Sequence, residues 1–463
     1  MAQKHNYEFG GPIGAAAITF GLPLLVAFFY FACNDISGCP APALLRLELA
    51  WDTIRAQIPW PADGLAGFVS LEATGWVAAY YVLSMALYVV LPAHEVLGTK
   101  LKESGKPLNY RFNSFSSTLV QVVACAVGTY IYGADFVVWR YIDENYLQIL
   151  TANIILAYAI SVYVYVASFS VKPRNKELRE LAEGGTSGNL IYDFYIGREL
   201  NPRVTLPLCG EIDIKTWLEM RPGLTGWLLL DLAFMAKQYN RHGFVSDSMI
   251  FVTAIQGYYV LEGQYAEAGI LSMMDIISDG LGFMLTFGDI VWVPFIYSTQ
   301  ARYLAVYPVH LGPLGLAGLF SVFALGLYIF RAANTQKAVF RKEPNHPSVA
   351  GLSYIQTKRG TRLLTGGWWG ISRHLNYFGD WLQSLPFCLA AGLSGYVIQA
   401  NGQVEQGDAR GWGIAFTCFY SLYFGILLIH REGRDDAACQ KKYGDDWEKY
   451  KRVVKWKIVP GIY

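Results

Sequence analysis

Ten long apolar stretches alternate with shorter polar segments along the chain. They lie near residues 12–33, 74–97, 115–135, 148–170, 224–239, 248–266, 283–308, 314–333, 378–399 and 411–430. A helix needs about 20 mostly apolar residues to cross a hydrocarbon layer that is roughly 30 Å thick. The pattern therefore predicts an all-α, polytopic integral membrane protein with about ten transmembrane helices.

Two of these stretches carry polar residues that suit lipid poorly. The fifth contains Asp231, Lys237 and Gln238, and the seventh contains Asp289. Ionisable groups at membrane depth usually face the interior of a helix bundle or a cavity. We therefore expect these spans to line an internal cavity.

Basic residues between the apolar stretches indicate an orientation. They follow the second, fourth, eighth and tenth stretches, and include Lys100, Lys102, Lys106, Arg111, Lys172, Arg174, Lys176, Arg179, Arg331, Lys337, Arg341, Lys342, Lys441, Lys442 and Lys449. Loops after even-numbered spans lie on one side of the membrane, and basic loops are typically cytosolic. The sequence thus predicts that both termini are cytosolic.

Composition narrows the class of protein further. The chain is 53% hydrophobic and 16% charged, with a net charge of +1, whereas soluble domains average about 25% charge. These values exclude a disordered chain, a coiled coil and a nucleic-acid binder. No C-x-x-C pair suggests a metal or redox site. Cys33 and Cys39 could form a disulfide, although two free thiols are the favoured interpretation.

Polar residues gather in four clusters, and each has a structural alternative. The first runs from Gly188 to Gly197 and on to Arg203, and predicts a structured, non-helical segment, or simply a folded interfacial loop. The second is Lys337 and Arg341, four residues apart. On a helix this pair shares one face and could bind phosphate, or it could be two ordinary membrane anchors.

The third and fourth clusters lie in the C-terminal part of the chain. Residues 363–377 combine glycines with Trp368, Trp369 and Tyr377, which suits ring stacking or an interfacial aromatic belt. Residues 430–450 place Asp435, Cys439 and Lys442 on one helical face. Asp435 could be a structural ion-pair partner or an active-site acid. Because no Rossmann fingerprint or P-loop occurs, a dinucleotide would have to bind outside those folds.

Together the four clusters resemble the sterol reductase family of endoplasmic-reticulum enzymes. The resemblance covers nearly the whole chain and is strongest at Gly188–Arg203 and at His430-Arg431, Arg434-Asp435, Cys439 and Lys442-Tyr443-Gly444. It implies that residues 1–185 form four N-terminal transmembrane helices and that residues 186–463 form a catalytic half whose NADPH pocket opens to the cytosol. The matching cofactor-binding positions are Lys337, Arg341, Leu364, Trp369, Asn376, Tyr377, Asp435, Cys439, Lys442, Tyr443 and Tyr450.

The resemblance also implies a reaction. Sterol reductases reduce a carbon–carbon double bond by protonating one carbon and delivering hydride to the other. By similarity, Tyr259 is the expected proton donor, with the adjacent Tyr258 as the alternative placement. Asp435 is its expected electrostatic or proton-relay partner, because a tyrosine with a pKa of about 10 is a weak acid.

Two segments, the opening Phe9-Gly10-Gly11-Pro12 and the residues after Cys39, most resemble the corresponding segments of a fungal Δ14-sterol reductase of ergosterol synthesis. A long segment near residues 395–410 also looks fungal. A Δ7- or Δ24(28)-reductase is the nearest alternative. An isoprenylcysteine-type methyltransferase, which shares an Arg-His-x-x-Tyr pattern, and a non-catalytic sterol-binding protein are more remote. The expected partners are a sterol substrate and the lipid bilayer, and other enzymes of the same pathway are further candidates.

Overall fold

A computed structural model describes residues 7–41, 51–172, 178–207, 209–392, 396–398, 404–406 and 413–463. The chain is mostly helical. Its α-helices are α1 Gly11–Ala32, α2 Trp51–Ala56, α3 Leu71–Val90, α4 Ser114–Tyr132, α5 Val137–Glu144, α6 Tyr146–Ala167, α7 Leu190–Ile196, α8 Ile214–Leu218, α9 Leu224–His242, α10 Asp247–Tyr265, α11 Met274–Ile277, α12 Phe283–Phe287, α13 Val293–Tyr297, α14 Thr299–Val306, α15 Gly312–Lys342, α16 Trp368–Ile371, α17 Leu375–Leu389, α18 Ile414–Thr417, α19 Phe419–Tyr443 and α20 Asp445–Val453.

Short strands, which the sequence did not predict, accompany the helices of this mostly helical fold. They form two-stranded sheets from β1 His94–Lys100 and β2 Pro107–Phe112, β3 Arg203–Leu206 and β4 Gly210–Asp213, β5 Tyr354–Gln356 and β6 Arg362–Leu364, and β7 Tyr396–Ile398 and β8 Val404–Gln406. The first three pairs are antiparallel. Each pair joins segments close in sequence, so the strands form local hairpins.

Six helical segments of the described residues are long and apolar enough to cross a membrane. They are Gly11–Ala32, Gly64–Val90, Ser114–Asp135, Tyr146–Ser170, Gly312–Lys342 and Ile414–Tyr443. These correspond to predicted spans one to four, eight and ten. The predicted fifth and sixth spans are the single helices α9 and α10, so their helical structure is confirmed, while ten membrane crossings stay a prediction.

Three predicted spans end earlier or are interrupted in the structure. The second was expected to reach residue 97, but α3 ends at Val90 and strand β1 follows. The seventh is divided into α12, a π-helix at Gly288–Trp292, α13 and α14. The ninth ends at Leu389, about a third shorter than expected, since residues 396–398 are a strand.

The chain divides into two compact units, residues 1–308 with 406–409, and residues 309–405 with 410–463. The predicted functional boundary at residue 185 falls inside the first unit and stays a prediction. In that unit, Asp231 and Gln238 are completely buried. The Gln238 side-chain amide donates to the carbonyl of Leu304 and to Ser246. These polar side chains are therefore enclosed by protein, and the expectation that their spans line an internal cavity stays a prediction.

Cys33 and Cys39 form a disulfide in the first unit. The favoured interpretation of two free thiols is therefore wrong. The segment joining them is held by the Asn34 carboxamide, which accepts from the backbone N–H groups of Ile36 and Ser37. This turn brings the two sulfurs together, which spacing alone could not establish.

Helices α15 and α17 of the second unit pack through two glycines. A Cβ added to Gly326 would lie 2.5 Å from the Gln383 backbone nitrogen, and one added to Gly379 would lie 2.6 Å from that of Phe330. Such distances are shorter than any normal contact, so the helix backbones approach closely here. This contact fixes the start of α17, which carries several candidate site residues, against α15.

Replacing Gly326 with alanine is expected to destabilise this helix pair. Overpacking typically costs about 1–3 kcal/mol, which should lower the thermal midpoint of the purified protein. Gly318→Ala is the matched control, because a Cβ at Gly318 meets nothing within 4 Å on the same helix. Equal midpoints for the two variants would show that the close approach is unimportant.

Candidate functional site

The second unit contains all the predicted cofactor-binding residues. They lie on α15, on strand β6, at α16 and the start of α17, at the end of α19, and on α20. The predicted proton donor, Tyr259, lies on α10 in the first unit.

A lysine lies over a buried tryptophan at the centre of the predicted cofactor site. The Lys337 ammonium is 3.7 Å from the centre of the Trp369 ring, within the range of a cation–π interaction. The Trp369 indole N–H donates to the Ala333 carbonyl at 2.8 Å, and the side chain is 3% exposed. Trp369 is thus a rigid aromatic wall that holds a positive charge beside it.

A glycine turn sets the position of this tryptophan. Gly367 has a φ of +61°, and a Cβ there would lie 2.5 Å from the Gln336 side chain. The Gln336 side-chain oxygen Oε1 accepts a hydrogen bond from the backbone N–H of Trp368 at 2.9 Å. Leu364 and Trp369 belong to one buried apolar cluster with Phe340. The glycines of this segment therefore permit close packing against α15.

A carboxylate and a tyrosine form the second part of the site. The Tyr377 hydroxyl donates to Asp435 Oδ2 at 2.9 Å. The His374 ring stacks on the Tyr377 ring, with centres 4.8 Å apart and planes at 17°. His374 Nδ1 lies 3.9 Å from Asp435 Oδ2. The start of α17 is thereby joined to the end of α19.

His374 is uncharged at neutral pH. Its burial, together with the nearby charges of Lys337 and Arg373, lowers the pKa of the imidazole to about 3. The residue is 9% exposed, and Nε2 has no hydrogen-bond partner among the described residues. The neighbouring Asn376 donates from Nδ2 to Asn334 Oδ1 at 3.2 Å, while its own Oδ1 is shielded and likewise unpartnered there.

The predicted helical face at the end of α19 is present. Asp435, Cys439 and Lys442 all lie on this helix, and Lys337 of α15 interacts electrostatically with Asp435 and Cys439. Arg341, one turn beyond Lys337, also lies within its electrostatic reach and is exposed. The structure thus brings the two predicted clusters together in one unit.

A cluster of aromatic side chains packs against the end of α19. Trp447 and Tyr450 of α20 stack at 4.9 Å, and Cys439 and Tyr443 pack against them. Burial raises the pKa of the Tyr450 hydroxyl, so this group stays protonated. Tyr443 and Tyr450 therefore lie beside the Asp435 face, whereas the side chain of Lys442 is exposed.

A buried carboxylate close to the site escaped the sequence interpretation. Glu432, one turn before Asp435, is completely buried. Its Oε1 lies 3.5 Å from Arg373 Nη2, and its Oε2 lies 3.2 Å from Lys457 Nζ and accepts from the Tyr463 hydroxyl at 3.4 Å. The hydrogen bond from Lys457 to Tyr463 and the charge of Glu432 raise the pKa of Lys457.

The C-terminal segment uses this carboxylate to hold the residues before α17. The backbone N–H groups of Arg373 and His374 donate to the carbonyls of Trp456 and Lys457 at 2.9 and 2.8 Å. The Arg373 side chain donates to the carbonyl of Val454 at 3.2 Å. The only sequence signal was a glutamate among basic residues at the end of a span, which is too common to single out.

The Gly188–Arg203 segment belongs to the first unit and is partly helical. Helix α7 begins after Asn189, whose side chain accepts from the Tyr192 N–H at 3.0 Å, a standard N-cap. The prediction of a non-helical segment is therefore wrong for residues 190–196. Gly197 has a φ of +90° and contacts the backbone of Gly280, so it serves close packing.

Tyr259 lies half-buried on α10, with its ring centre 6.0 Å from that of Trp227. Tyr258 is 40% exposed. Successive helical positions point about 100° apart, so the two tyrosines differ in their surroundings, and Tyr259 is the more buried of the two. Its role as the proton donor stays a prediction, as does its coupling to Asp435.

The apolar helices are those of a multi-pass membrane protein, and its second unit brings cations, aromatic rings and a carboxylate together in one cluster. The chain belongs to the ergosterol biosynthesis ERG4/ERG24 family, whose family model matches residues 3–463. Members of this sterol reductase family are enzymes.

Curated relatives match the chain along its whole length. The Delta(14)-sterol reductase ERG24B of Gibberella zeae is 63% identical, over 99% of this chain and 98% of its own length. The Delta(14)-sterol reductase of Neurospora crassa is 56% identical, over 100% and 97%. The Delta(14)-sterol reductase erg24 of Schizosaccharomyces pombe is 39% identical, over 100% and 98%. The long segment that looked fungal lies mostly outside the described residues.

Proposed function

We infer that the chain is a Δ14-sterol reductase, which reduces the C14=C15 double bond of a sterol intermediate of ergosterol biosynthesis with NADPH. The observation that carries this inference is its whole-length similarity, at 63% and 56% identity, to two proteins named Delta(14)-sterol reductases. The cation, ring and carboxylate cluster of the second unit supports a nucleotide cofactor independently of those names.

The residues of this cluster fit NADPH chemically. Lys337 and Arg341 supply positive charge for phosphates, and Trp369 and Tyr377 supply flat faces for a ring. Asn376 Oδ1 is shielded and has no partner among the described residues, which is costly unless a ligand supplies a donor. Leu364, Cys439, Lys442, Tyr443 and Tyr450 complete the proposed set. Bound NADPH would supply a hydride.

The chain's own residues must supply the proton. An isolated alkene accepts hydride poorly, so protonation of one carbon has to lead and generate a cation at the other. That step needs an acid beside the alkene and a dry, electrostatically suitable pocket. We assign the proton to the Tyr259 hydroxyl, with Asp435, which accepts a hydrogen bond from Tyr377, as its electrostatic or proton-relay partner.

We place the enzyme in the endoplasmic-reticulum membrane, with ten crossings and both termini in the cytosol. The basic residues of the loops after even-numbered spans support this orientation. Lys337, Arg341 and Lys442 occur at the ends of α15 and α19. With both ends on the cytosolic side, the proposed NADPH site opens to the compartment that holds the soluble cofactor.

Purified enzyme is expected to convert a Δ8,14-sterol with NADPH, and to leave Δ7- and Δ24(28)-sterols unchanged. Sterol products separated by gas chromatography and mass spectrometry, with parallel measurement of NADPH oxidation, would check this. The Lys337→Met variant is the control for turnover at the proposed site. Turnover restricted to Δ7- or Δ24(28)-sterols would contradict the assignment, and consumption of S-adenosylmethionine would indicate a methyltransferase.

A further inference from the structure

His374 lies among the proposed cofactor-binding residues, yet the family resemblance does not include it among them. It stacks on Tyr377 and faces Asp435, and Lys337 acts on it electrostatically. Its backbone N–H is bonded to the Lys457 carbonyl at 2.8 Å. The ring is therefore held in place from two sides at the centre of the cluster.

One ring nitrogen of His374 lacks a hydrogen-bond partner among the described residues. This atom, Nε2, is shielded, and only 9% of the residue is exposed. Buried polar atoms are nearly always hydrogen-bonded, so an unpartnered one next to a binding site needs an explanation. A bound group that completes the pair is the simplest one.

The charge on Asp435 fixes what that group can be. Asp435 Oδ2 lies 3.9 Å from Nδ1, and a carboxylate there favours the tautomer with hydrogen on Nδ1. Nε2 is then a hydrogen-bond acceptor. Phosphate oxygens at neutral pH only accept hydrogen bonds, so they cannot pair with it, whereas an amide or a hydroxyl can.

We propose that His374 is a cofactor-contacting residue, whose Nε2 accepts a hydrogen bond from the carboxamide or a ribose hydroxyl of the nicotinamide nucleotide. This inference rests on the proposed function, because it presumes that the nucleotide binds at the Lys337 and Asp435 cluster. In this arrangement His374 contacts the uncharged part of the nucleotide, and Lys337 and Arg341 bind its phosphates.

Two substitutions separate the hydrogen bond from the ring stack. His374→Phe keeps a flat ring against Tyr377 and removes the acceptor, so it should weaken NADPH binding about tenfold, the usual value of one neutral hydrogen bond. His374→Gln carries an acceptor near the position of Nε2 and should restore most of that affinity. The dissociation constant is measured from the fluorescence of NADPH without sterol, so no turnover is required.

The pH dependence provides a second readout. An imidazole whose pKa is about 3 stays neutral from pH 5.5 to 8.0, so the loss in His374→Phe should be the same throughout that range. The loss should also be equal for NADPH and NADH, which differ only in a phosphate. His346→Phe is the matched control, since His346 is exposed and its ring bonds to Ser348, two residues away.

Several outcomes would overturn the inference. They are an unchanged dissociation constant in His374→Phe, a loss confined to NADPH, and a loss that grows as the imidazole titrates between pH 6 and 7. Lys337→Met separates these from failure of the proposed function. If Lys337→Met weakens binding and His374→Phe does not, the histidine assignment is wrong; if neither does, the nucleotide binds elsewhere.

Discussion

Replacing Tyr259 with phenylalanine is expected to lower the turnover number about 100- to 10,000-fold, the usual contribution of a positioned general acid. The substitution removes one oxygen and keeps the ring that packs 6.0 Å from Trp227. NADPH affinity should not change, because Tyr259 is not among the proposed cofactor-binding residues. Turnover is measured from sterol product, and affinity from NADPH fluorescence.

Tyr258→Phe is the matched control, since it makes the same chemical change at the adjacent, more exposed position. It should retain nearly full turnover. The reverse result, loss in Tyr258→Phe and none in Tyr259→Phe, would move the proton donor by one residue. Asp435→Asn should also lower turnover, because it removes the negative charge and keeps an acceptor for Tyr377. Full turnover in both Tyr259→Phe and Asp435→Asn would refute the mechanism.

The long apolar helices could be predicted because hydropathy measures the property that matters at a lipid-facing surface. The boundaries were less accurate where local stereochemistry acts. Helix α3 stops at Val90 because Pro92 follows and cannot continue a helix, although apolar residues go on to Leu97 within strand β1. Helix α17 ends near Gly392, whose φ of +62° favours glycine at a helix end.

Hydropathy also does not predict which polar side chains of a helix are buried against protein. Gln238 is completely buried on α9, yet its amide is fully engaged with Leu304 and Ser246. Average polarity counts such a residue against membrane insertion, whereas its partners satisfy it inside the unit. The π-helix at Gly288–Trp292 likewise has no periodicity signal. These features depend on tertiary contacts.

Local spacing predicted the parts of the site that lie on single helices. Residues four apart on a helix share one face. This holds for Lys337 and Arg341 on α15, and for Asp435 and Cys439 on α19. Contacts between distant segments could not be predicted in this way. The Tyr377–Asp435 hydrogen bond joins residues 58 positions apart, and only the resemblance to a family had grouped them before the structure did.

Removing the buried carboxylate of Glu432 is expected to destabilise the second unit and the cofactor site together. Glu432→Gln leaves Arg373, whose side chain is 5% exposed, without its counter-charge. Breaking a buried ion pair typically costs about 3–5 kcal/mol. We expect the low end of that range, because Lys457 is 38% exposed and water can screen it. The thermal midpoint should fall accordingly.

The effect should reach NADPH binding, because Arg373 and His374 are held to the C-terminal segment beside this carboxylate. Tyr463→Phe removes only the hydroxyl that donates to Glu432 at 3.4 Å, so it should have the same two effects with smaller size. Glu448→Gln is the matched control, since the Glu448 side chain is 48% exposed in its pair with Lys451 and exposed pairs contribute about 0–1 kcal/mol. A Glu432→Gln midpoint equal to that of Glu448→Gln would show that the buried carboxylate does not hold the site, and a lowered midpoint with unchanged NADPH affinity would confine its role to folding.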